Sequence, residues 1–231
     1  MKNHAQLAIL ALITLISFTA CQKDDPTPNY TNSSRDANGN LVIGSKFTIK
    51  NSWKLGALPP GNSDTTWFSA ADGERLTMVS MLVLSNDWFF TLSEIELSTS
   101  INVSDISTVA STWDAGTEAD NMSQYFPPNQ TAPNTGPVDP DANLRSIKMT
   151  TPPGNYFNGT LTYDAATSKY KLIRNNIHAS SPMSPGVLVT YTDATGTGEA
   201  NPLFTPDEPT SIEIERVAED GNNDPLYDAL Q

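Results

Sequence analysis

Residues 76–90, LTMVSMLVLSNDWFF, are almost continuously apolar from Met78 to Leu84, and the polar triplet Ser85-Asn86-Asp87 then interrupts them. A run of this length predicts a buried strand that ends on an acidic residue, with Trp88, Phe89 and Phe90 packing immediately behind it. Elsewhere the pattern has a period of two or is rich in β-formers: 46–50 (KFTIK), 65–69 (TTWFS), 95–103 (IELSTSINV) and 187–192 (VLVTYT) read as strands. Residues 58–61 (LPPG) are turn chemistry, and Asp72-Gly73 is a hairpin signal in front of the central strand. Residues 164–168 (DAATS) separate two strand-like runs, 161–163 and 170–173, as a second hairpin. With no helical period before it, the region up to Glu118 reads as several antiparallel strands.

The last fifth changes character. Behind Pro209-Thr210-Ser211, the segment 212–220 (IEIERVAED) can set Ile212, Glu215, Arg216 and Glu219 along helical rows, and Gly221 stands where a C-cap glycine belongs. Asp224 as cap and Pro225 at the first helical position predict one short closing helix. Residues 220–224 imitate the alternating acids of an EF-hand loop, but Pro225 occupies the position that requires glycine. Residues 125–143 carry five prolines and little to bury, a long loop of the functional or disordered kind.

The N-terminal end reads as an address. Lys2, the apolar stretch 7–18 and Thr19-Ala20 lead to the one cysteine, Cys21. The tetrapeptide FTAC resembles the lipobox of bacterial lipoproteins, which implies a signal peptide over 1–20 and lipidation of Cys21; an ordinary signal peptide is the alternative. Gln22-Lys23-Asp24-Asp25 resembles the acidic signal that carries lipoproteins across the outer membrane, beside the plainer reading of a charged spacer. Residues 21–40 are then a lipidated, flexible tether, rich in Pro, Asn, Ser and Gly. The expected location is the outer membrane, lipid-anchored and exposed at the cell surface, with one folded domain over 41–231.

Thirteen basic against 26 acidic side chains give a net charge of −13, which disfavours nucleic acid and anionic bilayer surfaces as partners. With His4 in the leader and Cys21 acylated, His178 would be alone, so a Cys-His pair and a His/Cys zinc site are excluded. A Ser-His-Asp arrangement would need His178, which sits in NNIHASS without a nucleophile elbow. A hydrolase using a carboxylate pair is the weaker alternative, and no enzyme is expected. Of the four tryptophans, Trp88 and Trp113 adjoin apolar runs, whereas Trp53 and Trp67 are the candidates for an exposed sugar-stacking platform.

Around Ala115-Gly116-Thr117, a turn that needs glycine's freedom, the segment 113–118 (WDAGTE) holds Asp114 and Glu118. Two strand ends presenting carboxylates, at Asp87 and here, suggest a hard-cation site. Together with 80–89 (SMLVLSNDWF) and 114–118 (DAGTE), the segments 184–192 (SPGVLVTYT), 203–209 (LFTPDEP) and 217–226 (VAEDGNNDPL) resemble the spondin N-terminal domain. The resemblance covers most of the chain beyond residue 45. It implies an antiparallel β-sandwich with one or two short helices near the C-terminus and a calcium (Ca2+) site, as in extracellular matrix, adhesion and secreted bacterial proteins.

In the family, the SPGV, LF and AEDG blocks precede SNDWF and DAGTE, whereas here they follow them. Either the chain is a circular permutant, with 169–231 supplying the family's opening half, or it is a remnant of a tandem pair whose halves would exchange between chains. Carried over by motif, the metal ligands fall on Asp87 and Glu219, with Asp114 and Glu118 as further candidates. Ser93, with Glu94 beside it, stands where the family often has another acid. The function so implied is a calcium-stabilised binding or adhesion module with an unidentified protein or glycan partner. A carbohydrate-binding accessory module is the alternative.

Overall fold

The apolar run near residue 78 is unbroken because its strand has no face to solvent. A computed structural model describes residues 34–83, 85–119, 136–149, 152–195 and 201–231. The expected leader, Cys21, the acidic address, the start of the tether and much of the proline-rich loop lie outside the described residues. Among the described residues, ten strands form two sheets: β1 (Phe47–Leu55), β2 (Ser63–Phe68), β3 (Arg75–Met81), β4 (Trp88–Glu96), β5 (Asn102–Val103), β6 (Ala110–Asp114), β7 (Arg145–Ser146), β8 (Phe157–Asp164), β9 (Lys169–Asn176) and β10 (Gly186–Asp193). The order is β1-β10-β3-β4-β6-β7 in the six-stranded sheet and β2-β9-β8-β5 in the four-stranded one, antiparallel throughout. The fold is an all-β antiparallel sandwich with two short C-terminal helices, α1 (Ile212–Asp220) and α2 (Asp224–Ala229).

Alternation along the central strands sends side chains into two separate cores. Met78 and Leu76 of β3, Trp88, Phe90 and Leu92 of β4 and Leu188 of β10 enter the space between the sheets, against Phe68, Phe157, Leu161, Tyr170 and Leu172. Their neighbours Val79, Phe89, Val187 and Val189 face the other way and are covered by Leu203, Phe204, Ile214, Val217, Ala218 and Leu226. Each fully buried side chain of this size contributes about 1.5–3 kcal/mol, so both cores contribute to stability. The last strand in sequence, β10, lies inside the large sheet between β1 and β3.

The turn at Asp72-Gly73 forms, with Gly73 at φ +84°, but it is not a hairpin. It carries the chain from β2 in the small sheet to β3 in the large one, and Gly73 N donates to Leu97 O at 2.8 Å. Local turn chemistry sets the reversal and cannot say which strand will pair. The apparent strand 95–103 likewise breaks at Leu97, and Asn102–Val103 joins the other sheet. The 164–168 hairpin joins β8 to β9 in register, as expected.

Ser211 caps α1 by accepting from Ile214 N, and Gly221 ends it at φ +61°. At α2 the cap lies one residue earlier than expected: Asn223 is the N-cap and Asp224 already belongs to the helix. The tether reading also needs correction at its end. Residues 34–41 are fastened to the α1 region, with Arg35 Nη1 donating to Thr210 O (2.8 Å), Ile212 N to Gly39 O (2.8 Å) and Leu41 N to Glu213 Oε2 (2.7 Å). Backbone hydrogen bonds from a polar segment need no apolar pattern, so composition alone does not reveal them.

Candidate functional site: the acidic end of the large sheet

Where β3 passes into β4, the loop closes on itself through Ser85, whose Oγ donates to Leu82 O (2.5 Å) and accepts from Trp88 N (3.0 Å). This holds Asp87, fully buried, at the foot of β4. Its Oδ2 accepts from Thr117 N (2.9 Å), Thr117 Oγ1 (3.1 Å) and Glu118 N (3.0 Å), and its carbonyl accepts from Ala115 N (3.1 Å). The SNDWF and DAGTE segments are thus one unit, with Asp87 as the acceptor that organises the second turn. Asn86 adds a bond from Nδ2 to Glu118 O at 3.2 Å. Gly116 is required twice over, by φ +70° and because a Cβ there would lie 2.6 Å from Asn143 O.

Asp114 stands opposite Trp88 at the end of β6, and its two oxygens accept from Gly116 N (2.7 Å) and from Arg145 Nη2. Arg145 also donates to Asp139 Oδ2 (2.6 Å) and to Asp141 O (2.6 Å). Burial works against the Arg145 charge, but the hydrogen bonds and charges of Asp139 and Asp114 outweigh it and hold the guanidinium above its ordinary range. Glu118 is 4 % exposed, and its Oε1 accepts from Gly136 N at 2.7 Å.

Glu219, 3 % exposed, sits in the last turn of α1. The C-cap Gly221 lies against Ser184, whose Oγ accepts from Met81 N (2.9 Å), so this end of α1 lies over the end of the sheet where the Asp87 loop departs. One turn earlier, burial pushes the Glu215 carboxyl up; Arg216 and Arg35 oppose the rise, while Asp220 and Glu118 add to it.

Asp87 and Glu118 are thus joined directly, Asp114 is tied to the same turn through Gly116 N, and Glu219 comes to the same end of the sheet from α1. Arg145 and Asp139 escaped the sequence reading. The available signal was an arginine four residues after Asp141, behind the acidic stretch 139–141, in a chain poor in cations. Glu94, at φ +61° on β4, belongs to the opposite end, where its carbonyl accepts from Arg75 Nη1 (3.1 Å).

Calcium takes 6–8 oxygen ligands. Among the described residues, no group of three or more His, Cys, Asp or Glu side chains is arranged to hold a metal ion. Carboxylate oxygen is the ligand type a hard cation takes, and protein donors already meet Asp87 Oδ2, Glu118 Oε1 and both oxygens of Asp114, one of them a guanidinium. His178 packs flat on Tyr156, with centroids 5.2 Å apart, and its Nδ1 accepts from Ser181 N at 2.8 Å. Trp88 is buried in the inter-sheet core, Trp53 leans on Phe68 with centroids 5.2 Å apart, and Trp67 is 42 % exposed. No family model, no curated protein and no solved structure matches the chain.

Proposed function

We propose that this chain is a binding or adhesion module of the spondin-N type, held at the bacterial surface by lipid on Cys21 and stabilised by calcium at the acidic end of its large sheet. One observation carries the reading: Asp87, at the end of a core strand, accepts three hydrogen bonds from the DAGTE turn, in a region where Asp114, Glu118 and Glu219 are also buried. Burying this many carboxylates is costly unless each meets positive charge or donors. Arg145 serves Asp114 and Asp139, and backbone N–H groups meet Asp87 Oδ2 and Glu118 Oε1 without bringing a full positive charge. Asp87, Glu118 and Glu219 would hold the ion, with backbone carbonyls and solvent completing the shell. When bound, calcium would supply the charge that fastens α1 to the SNDWF and DAGTE turns.

The pairing of β10 with β3 inside one chain supports circular permutation over exchange between chains, since the SPGV block already lies beside the strand that leads into SNDWF. The reading is non-catalytic; His178 stacks on Tyr156 and its Nδ1 is already taken up by Ser181 N.

Thermal melting of the full-length chain in detergent, with calcium and with chelator, tests the proposal. A ligand at about a hundred times its Kd adds about 2.7 kcal/mol, enough for a shift of several degrees. Asp87→Asn should abolish that shift. Identical melting temperatures for the parent chain in calcium and in chelator would falsify the calcium site.

A further inference from the structure

The outward face of the four-stranded sheet presents a different chemistry from the rest of this acidic protein. Register sets three rows across it: Trp67, Lys171, Thr162 and Asn102; Thr65, Ile173 and Thr160; Ser63, Asn175 and Asn158. With strands about 4.8 Å apart, the first row runs for about 14 Å. The alternate positions Phe68, Tyr170, Leu172 and Leu161 enter the core. Both helices lie beyond the large sheet, on the far side of the molecule.

Trp67 is the one exposed aromatic side chain among the described residues. The Lys171 Nζ lies 5.3 Å from its ring centroid, and Lys171 enters no ion pair among the described residues. These rows carry no carboxylate. Asp64 turns inward to Arg174, and Asp164, at the hairpin tip opposite Lys169, accepts from Ala166 N and Thr167 Oγ1.

We infer that this face binds a polysaccharide bearing carboxylates, a uronic-acid polymer, with Trp67 stacking on a sugar ring and Lys171 facing a uronate. Charge decides the class. In a chain of net charge −13, Lys171 stands within these rows among neutral side chains, and the acid of the next row, Asp164, is opposite Lys169 and turned to Ala166 N and Thr167 Oγ1, so an anionic group can meet Lys171. Threonine, serine and asparagine supply donors and acceptors to sugar hydroxyls. The face lacks the contiguous apolar centre that a protein interface needs, and one lysine row is too little for a nucleic-acid backbone. The inference rests on the reading as a binding module but not on calcium.

Affinity electrophoresis and calorimetry of the full-length chain, in chelator, with polygalacturonate and with neutral dextran, test it. The expected result is retardation by polygalacturonate alone, weakened about tenfold by Trp67→Ala, and weakened severalfold by Lys171→Ala with loss of most of its salt dependence. Both variants should melt with the parent chain, which separates lost binding from lost fold. No retardation by polygalacturonate, equal retardation by dextran, or retardation unchanged in Trp67→Ala overturns the inference. Asp87→Asn should leave this binding intact, so failure of the calcium reading and failure of this one are told apart.

Discussion

The two sheets of this protein share one core and differ in what lies on their other sides. The large sheet is covered on both faces, by the small sheet and by α1, α2 and the 203–204 segment. Among the described residues the small sheet is covered on one face only, and its strands alternate accordingly, as in the pattern of buried and partly exposed positions along β9. The difference teaches where function can reside. In the large sheet, side chains at the strand centres are committed to packing, so polar chemistry is displaced to the strand ends, at Asp87 and Asp114. In the small sheet, no described element packs on the outward face, and its side chains stay partly exposed.

The comparison is most severely tested by truncating equivalent outward positions on the two sheets. Phe89→Ala, beneath Phe204 with centroids 5.7 Å apart, should cost about 3–5 kcal/mol in urea unfolding. Trp67→Ala should stay within about 0.5 kcal/mol of the parent. Similar losses at both positions would mean that something covers the small sheet.

Asp64→Ala should cost about 3 kcal/mol, because it strands Arg174, which is fully buried between the sheets and donates to both Asp64 oxygens. This lies at the low end of the usual range for such breaks, since Asp64 is itself 32 % exposed. Asp64→Ala with Arg174→Met should recover much of the loss, and a double-mutant cycle reads the coupling.

At the acidic end, Asp87→Asn should lower the melting temperature by several degrees in calcium and by less in chelator. Equal effects in the two conditions would leave Asp87 as a turn organiser without an ion.

The smallest effect concerns Glu94, at the other end of β4. Burial raises its carboxyl pKa, and Arg75 offsets the rise only in part. A carboxyl whose folded pKa is raised binds its proton more tightly in the folded chain, so stability falls as pH climbs from the unfolded value, near 4.3, through the folded one. Glu94→Gln should therefore raise the melting temperature slightly at about pH 7 and leave it unchanged at about pH 3. A gain of equal size at both pH values would point to a cause other than the carboxyl charge.

Much of this architecture was legible because its signals are local. Strand β3 declares itself by a solid apolar run, β8 and β9 by their hairpin, α1 by Ser211 and Gly221, and the DAGTE turn by Gly116. Asp87 and Asp114 stood out because an acid directly beside a core strand is conspicuous. Partners distant in sequence were not legible. Only the assembled sheets put Arg145 opposite Asp114, turned Asp72-Gly73 into a crossing between sheets, set β10 beside β3 and fastened residues 34–41 to α1. Periodicity tells a residue which side of its own element it occupies. It cannot tell which element lies opposite, because that is decided by how all the apolar faces are buried at once, and the charges at the strand ends find their partners only after that burial is complete.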